Sequence, residues 1–150
     1  MKIPVTRTDS THSLPAMAHF GDAGADLSAA VNIDISPGER VLVATGIAVA
    51  IPEGFAGFVL PRSGLAVNFG VTIINAPGLI DSGYRGELKV GIVNHGSETF
   101  SIGKGDRIAQ LVIMAVASPD FVEVDNLDAT PRGDGGFGST GGTAVGTELG

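Results

Sequence analysis

The chain has 150 residues, no cysteine and a formal net charge of −7, which fits one domain with its own hydrophobic core and excludes disulfides and thiolate metal sites. The negative charge argues against direct binding of nucleic acid along a basic face, so any phosphate group must be held locally. No stretch resembles a signal peptide or reaches the roughly 20 apolar residues of a membrane span, and we expect a cytoplasmic protein without a membrane partner.

Short apolar segments alternate with turns that contain glycine or proline, and this pattern predicts an all-β chain. The run at residues 41–51 is apolar on both faces, as in a strand buried in a sandwich or between subunits. Because the mean hydropathy of +0.32 is high for a chain with 23 glycines, we also expect an oligomer that hides apolar surface. The predicted strands are residues 3–5, 32–35, 41–51, 55–60, 71–74, 88–93 and 108–114.

Two polar segments interrupt this pattern in the first half of the chain. Residues 21–30 place two aspartates and two glycines before an apolar strand, which taken alone fits an ordinary turn. One short helix is predicted to open within Pro61-Arg62-Ser63-Gly64-Leu65-Ala66, where Ser63 could act as N-cap. A guanidinium group, a hydroxyl and free backbone N–H groups at a helix start suit a phosphate, but an ordinary cap with a surface arginine explains the same residues.

The segment richest in chemistry is residues 78–90. It lies between two apolar runs, residues 71–74 and 88–93, which predict a β-hairpin with a long connection. The connection carries the carboxylate of Asp81, the ring of Tyr84 and several glycines, which let a backbone approach a ligand closely. A connection with this content indicates a binding or catalytic loop.

Gln110 stands out in the later apolar strand. Both faces of this strand are apolar, and a buried amide without a hydrogen-bond partner would cost about 1–3 kcal/mol. A backbone group or a buried water would satisfy this side chain. A ligand, or a water that takes part in a reaction, would satisfy it equally well.

The composition changes after residue 124, where glycines dominate. Such a segment cannot bury enough apolar surface to order itself, so it fits a flexible tail or linker. However, it also contains Arg132, which can pair with negative charge, and Phe137, which can stack on a flat ring. These residues fit a lid that orders over a nucleotide.

Five blocks of the sequence resemble, in order, the motifs of the trimeric all-β dUTPases, the deoxyuridine triphosphate nucleotidohydrolases: residues 22–30, 61–66, 78–90, 105–113 and 132–141. The resemblance implies a distorted, jelly-roll-like β-barrel of short strands with one short helix after Pro61, formed by residues 1–124. It also implies that residues 125–150 form a glycine-rich arm that closes over the active site. The implied assembly is a homotrimer in which each active site is shared between subunits.

The activity implied by this resemblance is the Mg²⁺-dependent hydrolysis of dUTP to dUMP and pyrophosphate, which supplies dUMP for thymidylate synthesis and keeps uracil out of DNA. Asp81 would activate the water that attacks the α-phosphate in line, and Gln110 would help to place that water. Mg²⁺ would travel on the triphosphate, and Asp26 would reach it through water.

The resemblance also implies a set of substrate-binding residues. For the nucleoside, Asn75 would read the uracil edge, Tyr84 would pack under the deoxyribose, and Leu79, Ile80 and Lys89 would line the pocket. For the phosphates, a neighbouring subunit would supply Arg62, Ser63 and Gly64. From the arm, Phe137 would stack on the uracil, and the γ-phosphate would be covered by Arg132, Gly138, Ser139 and Thr140.

Two alternatives remain open. The dCTP deaminases share the fold, and their pattern resembles this one up to a glutamate that serves as the deamination base. When the two patterns are aligned on Ile80-Asp81, that glutamate falls at Gly91, so the base would be missing here. The second alternative is a non-catalytic, trimeric all-β binding module, in which the polar residues of the five blocks would be dispensable.

Overall fold

Eleven strands and one short helix make up the regular structure of residues 1–136, the part of the chain described by the computed structural model. This arrangement confirms the predicted all-β, jelly-roll-like fold class with one helix after Pro61. The elements are β1 (Val5–Arg7), β2 (Ala25–Ser28), β3 (Ile33–Ile35), β4 (Arg40–Ala44), β5 (Ile47–Val49), β6 (Phe55–Leu60), α1 (Ser63–Phe69), β7 (Val71–Ile73), β8 (Gly78–Ile80), β9 (Lys89–Asn94), β10 (Phe100–Ile102) and β11 (Arg107–Ala115).

The strands form four antiparallel sheets. The largest has the order β2-β11-β6-β8, the next has the order β4-β9-β7, and two pairs are formed by β1 with β5 and by β10 with β3. Most hydrogen-bonded neighbours are distant in sequence, so the chain crosses repeatedly between sheets, as it does in jelly rolls. Residues that are far apart in the sequence are therefore brought side by side.

The core is formed by aliphatic side chains that alternate with more exposed residues along the strands. In β5 and β7 the first and third residues are buried and the middle one is partly exposed, which is the period expected of a half-buried strand. Each fully buried valine, leucine or isoleucine contributes about 1.5–3 kcal/mol relative to an exposed one. Core residues with at most 1% exposure include Leu27, Ile35, Val43, Val71, Leu88, Val90 and Ile92.

The predicted single strand at residues 41–51 is wrong. The run is divided into β4 and β5, which belong to different sheets, and the break falls at Thr45 and Gly46. Gly46 has a φ of 70°, a conformation that side chains disfavour. The break is held by two bonds to the hairpin: Thr45 Oγ1 donates to the Leu88 carbonyl at 2.6 Å, and Gly46 N donates to Glu87 Oε1 at 2.8 Å.

Helix α1 begins one residue earlier than the sequence indicates. Ser63 is its first residue, and the N-cap position is occupied by Arg62, whose side chain makes no capping hydrogen bond. The prediction of Ser63 as N-cap is therefore wrong. The helix ends at Gly70, which has a left-handed φ of 70° and donates its N–H to the Ala66 carbonyl at 3.1 Å, a common helix terminator.

The predicted hairpin is confirmed, and its connection contains a further strand. β7 pairs with β9 through Val71 with Asn94 and Ile73 with Ile92. Between them, β8 leaves this sheet and pairs with β6 of the four-stranded sheet. The connection therefore links the two larger sheets and is fixed at both ends, which suits a loop that must present side chains in defined positions.

The chain divides into two compact units, Met1–Ser118 and Pro119–Gly150, and the strands and the helix found in residues 1–136 all lie in the first. In the second unit, residues 119–136 contain a turn in which Arg132 Nε donates to the Gly135 carbonyl at 3.1 Å. Within the described part of the chain, no helix has the length and apolar character needed to cross a membrane.

Candidate active site

A cleft of about 290 Å³ lies beside the hairpin connection. Five predicted site residues line it, and they come from one short stretch of the chain. The cleft is also lined by three residues that were not predicted, Leu42, Glu87 and Leu88. Leu42 lies on β4, and nothing in its local sequence indicates a site. Glu87 has no pattern that distinguishes it within residues 78–90. The five predicted lining residues are Leu79, Ile80, Asp81, Tyr84 and Lys89.

Tyr84 is fixed by its immediate neighbours in this connection. Its hydroxyl donates to the Glu87 carbonyl at 3.0 Å. The phenol end of the ring packs over Gly86 so closely that a β carbon on Gly86 would overlap it. The ring therefore has one defined position at the cleft, set by a hydrogen bond and by the missing side chain of Gly86.

Glu87 ties the same connection to the rest of the fold. Its Oε1 accepts the Gly46 N–H at 2.8 Å, and its Oε2 lies 3.9 Å from Lys89 Nζ. The carboxylate thus bridges the break between β4 and β5 and a cleft-lining ammonium group. The ion pair between Glu87 and Lys89 is largely exposed and contributes little stability. The hydrogen bond from Gly46 is therefore the contact of Glu87 that stabilises the fold.

Asn75 lies at the turn that follows β7, next to two glycines. A β carbon on Gly78 would lie 3.5 Å from Asn75 Nδ2, and one on Gly91 would lie 3.7 Å from Asn75 Oδ1. Asn75 is exposed, and the missing side chains of Gly78 and Gly91 leave space beside its amide. Gly91, where a deaminase base would be expected, therefore lies beside this amide and carries no carboxylate.

A second group of predicted residues lies at another part of the four-stranded sheet. Gln110 on β11 is paired with Asp26 on β2 and with Leu60 on β6, and side chains of directly opposed residues share one face. Arg62 follows Leu60 by two residues, and Ser63 and Gly64 begin α1 directly after it. The structure therefore brings Asp26, Arg62 and Gln110 together, although they are far apart in sequence.

Three charged side chains in this group form what we call the Asp26 cluster, which consists of Asp26, Arg62 and Arg107. Arg107 Nη1 donates to Asp26 Oδ2 at 3.1 Å, Arg62 Nε lies 3.3 Å from Asp26 Oδ1, and Arg62 Nη1 donates to the Arg107 carbonyl at 3.2 Å. Arg107 was missed as a candidate, although it belongs to the block at residues 105–113. Only the pairing of β11 with β2 identifies its partner.

One chain does not bring Asp81 and Gln110 together. Ile80 is paired with Gly57 on β6, whereas Gln110 is paired with Leu60, three residues or about 10 Å further along that strand. β6 also lies between the two strands, which adds about 10 Å across the sheet. Because β8 runs antiparallel to β6, the step from Ile80 to Asp81 leads away from Leu60.

The predicted residues of the arm are only partly described. Arg132 lies in the turn of the second unit, where it bonds to the Gly135 carbonyl. Phe137, Gly138, Ser139 and Thr140 lie outside the described residues. Their proposed contacts with the base and the γ-phosphate stay predictions.

The described residues contain no group of three or more histidine, aspartate or glutamate side chains that could hold a metal ion. Asp26, the predicted outer partner of Mg²⁺, has a side chain that is 12% exposed and contacts two arginines. Both carboxylate oxygens therefore face positive charge, and the predicted contact of Asp26 with Mg²⁺ through water stays a prediction.

The sequence and the fold both match those of dUTPases. A family model described as dUTPase matches residues 11–141. The deoxyuridine 5'-triphosphate nucleotidohydrolase of Thermobifida fusca is 53% identical over 149 residues, which cover 99% of this chain and 83% of that protein. The protein of the same name from Mycolicibacterium gilvum is 51% identical over 148 residues, which cover 95% of this chain and 96% of that protein.

Among solved structures, a variant of the Staphylococcus bacteriophage 80alpha dUTPase with dUpNHpp has a TM-score of 0.88 and 29% identity, covering 93% of this chain and 98% of that one. A dUTPase variant from phage phi11 of S. aureus has a TM-score of 0.80 and 27% identity, and the match covers 86% of this chain and 100% of that one. That structure is described as showing the coordination of a structural Mg(II) ion. With the family match across most of its length and relatives above 50% identity, the chain belongs to the dUTPase family.

Proposed function

We propose that the protein hydrolyses dUTP to dUMP and pyrophosphate by in-line attack of an Asp81-activated water on the α-phosphate. The observation that carries this proposal is the cleft at the hairpin connection, which places the exposed Asp81 carboxylate beside Tyr84 and Lys89. A general base needs an acceptor within hydrogen-bond reach of the attacking water, and an exposed carboxylate at a cleft meets this need. In the cell the reaction would supply dUMP and keep uracil out of DNA.

The same cleft supports a nucleoside site. Tyr84, which is bonded to the Glu87 carbonyl and packed on Gly86, would pack under the deoxyribose and exclude a ribose 2′-hydroxyl. Asn75 would read the uracil edge, and Leu79 and Ile80 would line the base pocket. The binding of dUpNHpp by the similar 80alpha phage enzyme supports a deoxyuridine nucleotide as the ligand.

The proposed assembly is a homotrimer with shared active sites. Asp81 and Gln110 lie about 13 Å apart along β6 and two strands apart across the sheet, so one water molecule cannot contact both within one chain. A neighbouring subunit would supply Gln110 together with Arg62, Ser63 and Gly64, which the sheet holds beside it. The arm, with Arg132 and residues 137–140, would close the site.

Mg²⁺ is proposed to bind the triphosphate oxygens and waters rather than a protein carboxylate cluster. This fits the described residues, which offer no such cluster. When bound, the ion would neutralise charge on the phosphates. The chain's own contribution would be to hold the phosphates with Arg62 and to hold and deprotonate the water with Gln110 and Asp81.

The first test is pyrophosphate release from dUTP, UTP, dCTP and dTTP, measured with Mg²⁺ for the parent chain and for Asp81→Asn. We expect turnover of dUTP alone and a loss of at least about 100-fold in kcat for the variant, the range typical of removing a general base. Asp34→Asn, which makes the same change at an exposed site on β3, is the matched control and should behave like the parent. Ammonia release from dCTP would favour the deaminase alternative, and no turnover at all would favour the binding module.

A further inference from the structure

The Asp26 carboxylate is enclosed by positive charge. Its side chain is 12% exposed, and the guanidinium groups of Arg62 and Arg107 each approach a different carboxylate oxygen. The Arg107 contact is a hydrogen bond at 3.1 Å, whereas Asp26 Oδ1 and Arg62 Nε are buried, 3.3 Å apart and outside hydrogen-bond geometry. The pair between Asp26 and Arg62 is therefore an electrostatic contact in a poorly solvated place, where charges interact more strongly than in water.

Arg62 is held at two of its three nitrogen atoms. Nε lies against Asp26, and Nη1 donates to the Arg107 carbonyl at 3.2 Å. Nη2 makes no hydrogen bond with residues 1–136, and in the proposed function it would be the nitrogen that contacts a ligand. A guanidinium group that is fixed in this way loses less conformational freedom when it binds a phosphate than a free arginine would.

The charge of the cluster also favours an anion. Two guanidinium groups and one carboxylate leave a formal charge of +1 in a chain whose formal net charge is −7. Asp26 therefore offsets part of the arginine charge without cancelling it. Its role in the cluster is geometric, because attraction of a phosphate would be stronger without it.

We propose that Asp26 is a positioning residue that acts through Arg62, with Arg107 holding the carboxylate from the other side. The inference rests on the proposed function, in which Arg62 contacts the phosphates. Both carboxylate oxygens face a guanidinium group: Oδ2 accepts a bond from Arg107, and Oδ1 is buried against Arg62.

The test is a double-mutant cycle on binding of dUpNHpp, measured by titration calorimetry for the parent, Asp26→Asn, Arg62→Ala and the double variant, each with Mg²⁺ and with EDTA. We expect Asp26→Asn to raise Kd about tenfold in the parent background and to change it less than about twofold in the Arg62→Ala background. The tenfold loss should persist in EDTA. Asp34→Asn should bind like the parent.

Independent effects of the two substitutions, which multiply in the double variant, would overturn the proposal. So would a loss for Asp26→Asn that appears with Mg²⁺ and disappears with EDTA. If thermal unfolding shows that Asp26→Asn is not folded, Arg62→Lys is measured instead. The lysine ammonium group keeps the positive charge but cannot contact both Asp26 and the Arg107 carbonyl as the guanidinium group does. We expect Arg62→Lys to bind about tenfold more weakly, and parental affinity would contradict the proposal.

The two proposals fail separately in this design. A parent chain that binds dUpNHpp but releases no pyrophosphate from dUTP would overturn the proposed hydrolysis, and the binding cycle would still decide the role of Asp26. A parent chain that does not bind dUpNHpp would overturn both.

Discussion

Gly86 leaves the space that the ring of Tyr84 occupies. A β carbon at Gly86 would overlap the phenol end of the ring, whose hydroxyl is bound to the Glu87 carbonyl. The ring would have to break that bond and move. If Tyr84 packs under the deoxyribose, even a shift of about 1 Å is costly, because catalysis depends on near-attack geometry.

We therefore expect Gly86→Ala to lower kcat/KM for dUTP roughly 10- to 100-fold and to reduce the discrimination between dUTP and UTP. The matched control is Gly83→Ala in the same connection, where an added β carbon meets no atom within 4 Å. Steady-state kinetics on both nucleotides for the two variants measure the effect. Equal kinetics for Gly86→Ala and Gly83→Ala would contradict the assigned role of the ring.

The break between β4 and β5 depends on Gly46 in a similar way. Gly46 has a φ of 70°, and His12 packs so closely against it that a β carbon would overlap the imidazole. Gly38 has a φ of 76° but open space around it. The two positions thus differ in packing and share the backbone conformation, which makes them a matched pair.

Gly38→Ala should cost roughly 1–2 kcal/mol in free energy of unfolding, the price of a left-handed conformation for alanine. Gly46→Ala should cost about 1–3 kcal/mol more, because it also overpacks against His12. Urea unfolding of the two variants, and of Gly46→Ala combined with His12→Ala, measures the difference. A combined variant that is no more stable than Gly46→Ala alone would contradict the predicted overpacking against His12.

The sequence predicts most of these elements but not how they connect. Alternation and turn residues identify the hairpin of β7 and β9, because both strands are bounded by glycine and polar residues. The break at Gly46 is hidden, because apolar residues continue on both sides of it and a single glycine is compatible with a continuous strand. β8 is hidden for another reason: its partner β6 is distant in sequence, and three residues carry no periodicity of their own.

The candidate site shows the same limit. The motif blocks name Asp26, Arg62 and Gln110, since each carries polar groups that an apolar strand or a bare turn would not need. They do not show that Asp26 faces Arg107, because this contact exists only when β11 pairs with β2. Nor do they show that Asp81 lies apart from Gln110, which follows from the register of β6 with its two neighbours.

For the whole molecule, this register separates the two groups of residues that the proposed active site combines. One group lies at the cleft with Asp81 and Tyr84, and the other lies at the face with Gln110, Arg62 and the start of α1. Exposed apolar side chains, among them Leu42 at 65% and Val67 at 84%, fit a surface that other subunits cover. A closed cyclic trimer would place one group of each subunit against the other group of its neighbour.

Complementation between two inactive variants, Asp81→Asn and Gln110→Ala, shows whether active sites are shared between subunits. Equal amounts of the two are unfolded together, refolded and assayed for pyrophosphate release from dUTP. If each site takes Asp81 from one subunit and Gln110 from the next, every mixed trimer has one intact site. Three quarters of randomly assembled trimers are mixed, and each of these has one intact site out of three, so we expect recovery of about a quarter of the parental activity. Activity no greater than the mean of the two variants alone would contradict a site shared between subunits.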